Sequence, residues 1–183
     1  MNSVELKVGD VLLLKKEDAP GIYTFLKQFL GKNIADIIAK IEGHEYIHSE
    51  LYVGNGYVLA AWFNGVHLIK YPLRILGNFD IYRHEKMDNE KRSVIKRNVA
   101  KYFNMRYDFA SLILNGLPEI LSLGFEPLER YLEKQLPYSD PNKMICSELV
   151  ARMYKDAGII IEPDPEFVTP DDIAQDGEMK KIF

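Results

Sequence analysis

Apolar and polar positions along the chain follow two rhythms. Short apolar runs bounded by turn residues come first. Val11-Leu12-Leu13-Leu14 follows the Gly9-Asp10 turn and reads as a strand, and residues 46 to 61 read as two strands joined through Gly54-Asn55-Gly56. GVHLIKY (65–71) and FDIYRH (79–84) predict two more. Helical spacing marks 20–43, where Phe25, Leu26, Phe29 and Leu30 form one group and Ile34, Ile37, Ile38 and Ile41 another, with Gly31 dividing two short helices. Asp88 is placed to cap a helix over 90–104, with Val94, Ile95, Val99 and Phe103 as its apolar stripe and its basic residues on a solvated face. Residues 111–136 are leucine-rich and broken by Gly and Pro. The stretch 144–158 predicts a helix closed by Gly158, and 159–162 a strand. Thr169 caps a last helix that has Pro170 at its first position and Asp171 and Asp172 in its first turn. Early strands flanked by helices predict an α+β fold with a mainly antiparallel sheet.

The 183 residues suit one domain spanning 1–183, large enough to bury a core. A formal net charge of -4 gives no basic field that would call for a nucleic-acid partner. The first residues lack a secretory signal and no apolar run reaches membrane-spanning length, which predicts a soluble, cytoplasmic protein. The single cysteine, Cys146, excludes an intramolecular disulfide. No histidine–cysteine cluster has metal-ligand spacing and no glycine loop suits a phosphate, so neither a metal nor a cofactor is expected.

Cys146 changes the picture. It shares a helix face with Leu149, Val150, Met153 and Ala157, and it stands at the helix start. Unpaired N–H groups and the positive end of the helix dipole there favour thiolate over thiol, and the same N–H groups can donate to an oxyanion. A buried structural cysteine is the plain alternative. Among the four histidines, His44 and His84 are expected at the surface and His67 on either face of its strand. His48 opens a strand with apolar neighbours and is a candidate base.

The order of blocks is more specific than any one of them. GDVLLLKK, HSELYVGNGYVLAA, YDF at 107–109, CSELVARMYKDAG and TPDDIA follow one another from Gly9 to about Ala174. This order resembles the circularly permuted NlpC-type papain-like cysteine amidases, the YiiX/YaeF-like group, and the hairpin is similar to that of lecithin retinol acyltransferase-like proteins. The resemblance implies a permuted papain-like fold in which the histidine strand precedes the cysteine helix. It also implies a cofactor-free attack by Cys146 on an amide or ester carbonyl with His48 as base, through an acyl-enzyme. Tyr107 and Asp108 match the family's Tyr-Asp block and are candidates to line the site, with packing and capping as the alternative.

The family usually carries a polar residue twelve positions after the base to orient the imidazole, and that position is Ala60. A three-residue loop at 54–56 would pair Val53 with Tyr57, Leu51 with Leu59 and Glu50 with Ala60. His48, Glu50, Ala60 and Trp62 would then share one face, with Glu50 opposite the vacant position. A two-residue Asn-Gly turn would shift that pairing. Glu50 is therefore the candidate orienting carboxylate, and Trp62 a candidate apolar wall or a plain core residue. The expected substrate is a small peptide or another amide, such as a peptidoglycan fragment. The alternatives are a lipid-directed thioesterase, phospholipase or acyltransferase using the same pair, with residues 111–136 touching a membrane, or a binding module that has lost activity.

Overall fold

The computed structural model describes residues 5–15, 45–62, 64–70, 79–108 and 143–183. The helices expected over 20–43, the segment 111–136 and His44 lie outside them. The described residues form an α+β fold with an antiparallel six-stranded sheet. Its strands are β1 (Val11–Lys15), β2 (Tyr46–Gly54), β3 (Tyr57–Trp62), β4 (Gly65–Lys70), β5 (Phe79–His84) and β8 (Met179–Lys181), in the order β4-β3-β2-β1-β5-β8. Helices α1 (Asn89–Tyr102), α2 (Cys146–Asp156) and α3 (Pro170–Gln175) pack against it. A two-residue parallel ladder joins β6 (Arg106–Tyr107) to β7 (Lys143–Met144).

The solid apolar run of β1 has a simple reason. The strand lies between β2 and β5, and its side chains from Val11 to Leu14 are buried on both faces. Val11 and Leu13 enter the larger core with α2, while Leu12 joins Val58 and Ile81 on the opposite face. A strand buried on both faces does not alternate.

The hairpin differs from expectation at its turn, where Tyr57 faces Gly54 rather than Val53, and keeps the expected Leu51↔Leu59 pair. Asn55 (φ 54) and Gly56 (φ 78) form a two-residue turn with both φ positive, as a type I′ hairpin requires. Gly54, at φ 99, faces Tyr57, and an irregularity between Tyr52 and Gly54 absorbs the extra residue Val53. The expected Leu51↔Leu59 pair is thereby restored. The β2–β3 ladder does not extend to the expected Glu50–Ala60 pair; Glu50 pairs with Leu12 of β1 and Ala60 with His67 of β4.

The caps follow the sequence. Asp88 accepts from the Lys91 N–H, and Thr169 and Asp172 cap α3 reciprocally. Asp171 on α3 accepts the N–H groups of Glu45 and Tyr46, tying that helix to the start of β2. Gly158 (φ 79) closes α2 as expected. Residues 159–162 do not form the predicted strand. Ile159 and Ile161 are buried and Ile160 is exposed, so the alternation reports burial, while the Ile159 N–H bonds back to the Tyr154 carbonyl rather than to a ladder. His84 also departs from expectation. It is buried against the Tyr154 ring at 5.8 Å between centroids, because β8 closes over the end of β5.

Candidate active site

The site forms where the start of α2 meets β2. Ile145, the residue at the cap of α2, makes no side-chain cap hydrogen bond. Glu148 supplies half of a cap instead, its Oε2 accepting the Ile145 N–H at 3.3 Å. Arg152 holds Glu148 Oε1 through its Nε at 2.8 Å and also reaches Glu166. Burial raises the Glu148 carboxyl against the opposing pull of Arg152. This arrangement stiffens the first turn without placing a carboxylate cap over the thiol.

Cys146, His48, Ser49 and Glu50 are all buried, the last two completely. Cys146 and His48 interact directly through their side chains, each acting on the ionisation of the other. Burial by itself would lower the imidazole, but the Cys146 sulfur and then Glu50 outweigh it, and His48 is pushed up to about 9. Burial would raise the thiol. His48, followed by the amide and hydroxyl of Ser49, reverses this and holds Cys146 below the ordinary thiol range. The pair is thus biased toward thiolate and imidazolium, the reactive form of a cysteine nucleophile.

Glu50 Oε1 lies 3.5 Å from His48 Nε2. That is an electrostatic contact rather than a hydrogen bond of ordinary geometry, since Nε2 makes none among the described residues. Glu50 pairs with Leu12, so its carboxylate stands on the apolar Leu12–Ile81 face, where an adjacent imidazolium offsets part of its desolvation. Trp62 lies against His48, ring centroids 4.2 Å apart and planes tilted by 44°. An indole face against an imidazolium stabilises the cation.

The ladder of β6 and β7 sets Tyr107 opposite Met144, two residues before the cysteine. Burial, with the neighbouring Cys146 sulfur second, raises the Tyr107 phenol well above its usual value and keeps it neutral. Asp108 is buried, and its N–H bonds to the Met144 carbonyl. The structure therefore brings Cys146, His48, Glu50 and Trp62 together and places Tyr107 beside the sulfur. Asp108 fastens the ladder. Ser49 was not singled out from the sequence, and its position next to the candidate base was the only signal available.

An antiparallel sheet covered by helices, with a cysteine helix docked on a histidine strand, defines the class of architecture. A solved structure with the same fold is the metalloprotein yiiX from Escherichia coli O157:H7, DUF1105. It matches at a TM-score of 0.63 and 14% identity, over 98% of this chain and 98% of that one. The fold is thus YiiX-like. No protein-family model and no curated protein matches the sequence.

Proposed function

We propose that this protein is a cysteine-dependent hydrolase of amide bonds, built as a circularly permuted papain-like enzyme. The observation that carries this reading is the buried, interacting pair of Cys146 and His48 at the start of a helix, with the imidazole raised and the thiol lowered. In this reading Nε2 faces Glu50, leaving Nδ1 to take the thiol proton. The thiolate attacks the carbonyl carbon, and the Cys146 N–H and the first turn of α2 stabilise the oxyanion. Imidazolium returns its proton to the leaving amine. The acyl-enzyme is released when His48 takes a proton from water, whose oxygen attacks the thioester. A peptide or peptidoglycan fragment suits this chemistry. An acyl thioester is the lipid-directed alternative for the same pair.

The yiiX protein is described as a metalloprotein. Among the described residues, no group of three or more His, Cys, Asp and Glu side chains fits a metal ion, and no step here runs through one. Among the described residues, too, no helix is long and apolar enough to cross a membrane.

The test is hydrolysis of a panel of peptide amides and acyl thioesters by the parent protein, Cys146→Ala and His48→Ala. Turnover on an amide that falls by about a thousandfold or more in both variants is expected. Preference for thioesters would favour the lipid-directed reading. Turnover that survives Cys146→Ala would overturn the cysteine mechanism, and no turnover in the parent would support a binding module.

A further inference from the structure

We propose that Ser49 is a further catalytic residue, whose hydroxyl and amide hold the Cys146 sulfur in its ionised form. The inference rests on the reading of Cys146 as the nucleophile. Ser49 follows the candidate base directly on β2 and is completely buried. Its hydroxyl makes no hydrogen bond of ordinary geometry among the described residues. A buried hydroxyl without a partner is costly, and native structures leave few of them. Beside it stands an atom whose need for donors depends on its charge. A neutral thiol is a weak acceptor, whereas a thiolate is a strong one. The Ser49 amide and hydroxyl both act on the Cys146 sulfur in the direction of the thiolate. With no other partner among the described residues, the hydroxyl is a donor available to the sulfur in its ionised state.

The proton balance is simple. The thiol proton passes to His48, Ser49 keeps its own proton, and its O–H turns to the sulfur. On acylation the sulfur loses its charge and the hydroxyl is released. A donor that stabilises the thiolate increases its amount and also blunts it, because nucleophilicity falls with pKa. These opposed effects give Ser49 a signature that a packing role lacks.

The experiment follows the rate at which Cys146 reacts with dithiodipyridine against pH, in the parent, Ser49→Ala and Ser49→Thr. In Ser49→Ala the midpoint is expected to rise by about one pH unit. Below the midpoint the rate should fall about threefold, and the alkaline plateau should rise about threefold. Ser49→Thr, which keeps the hydroxyl, should restore the parent midpoint. A midpoint unmoved in Ser49→Ala overturns the proposal. Thermal unfolding of each variant checks the fold, with Ser49→Gly as the second deletion of the hydroxyl if alanine is not tolerated. The catalytic reading fails separately, through amide turnover that survives Cys146→Ala.

Discussion

At the scale of single residues, the site depends on which of several opposed influences dominates. His48 is buried enough to be neutral, yet two neighbours able to carry negative charge raise it to about 9. Activity that needs imidazolium is then lost as pH rises through about 9, and activity that needs thiolate is lost as pH falls through the lowered value of Cys146. Glu50, 3.5 Å from His48 Nε2, raises the imidazole through its charge, so its removal acts on the alkaline limb. Glu50→Ala should move that limb downward by about one unit, read from the pH dependence of kcat/KM. An unmoved limb with unchanged turnover would leave Glu50 a structural carboxylate. Glu50 was legible in the sequence because strand alternation puts it on the face of His48 and because Ala60 lacks a polar group. Ser49 was not, because alternation says nothing of a helix that reaches the strand from a hundred residues away.

Secondary-structure elements were legible where the local pattern and the tertiary demand agree. Asp88, Thr169 and Gly158 each serve the terminus that the sequence assigns them. The hairpin shows what local pattern misses. Its turn has two residues rather than three, and only the irregularity at Val53 keeps Leu51 opposite Leu59. A bulge has no strong sequence mark beyond Gly54 itself. The connection from α1 to β6 depends on a different glycine. Gly65 (φ 113) starts β4, and a Cβ there would stand 2.6 Å from the Met105 carbonyl oxygen, which already accepts the Val66 N–H. Gly65→Ala should therefore cost about 3 kcal/mol, because strain and a backbone clash add. Gly158→Ala also carries positive φ, but a Cβ there meets nothing within 4 Å, so about 1 kcal/mol is expected. Chemical denaturation of both variants checks the contrast, and equal losses would refute the steric argument.

At the scale of the whole molecule, strand β8 forms one edge of the sheet among the described residues. Strand β8 pairs with β5, and Lys181 reaches Asp80 at 2.6 Å, where Tyr46 also donates. This pairing buries His84, which the sequence could not reveal, because a histidine ending a polar-flanked strand looks solvated until a distant strand covers it. Its Nδ1 accepts the Lys86 N–H, while Nε2 faces Glu178 at 3.4 Å and Asp176 at 3.9 Å. Burial, with Lys86 opposing protonation as well, outweighs these carboxylates and Glu85, so His84 is lowered below its usual value. The unfolded chain then binds a proton near pH 6.5 that the folded chain resists. The contribution of His84 is thus fully present above about pH 6.5 and is lost as pH falls through its lowered folded value. Asparagine can offer a carbonyl oxygen to the Lys86 N–H without titrating. In His84→Asn the fall in melting temperature between neutral and mildly acidic pH should be shallower than in the parent, even if the variant is less stable at neutral pH. Parallel pH profiles of melting temperature would show that the acid sensitivity arises elsewhere, and that the end of β5 can be protonated without loosening the strand that covers it.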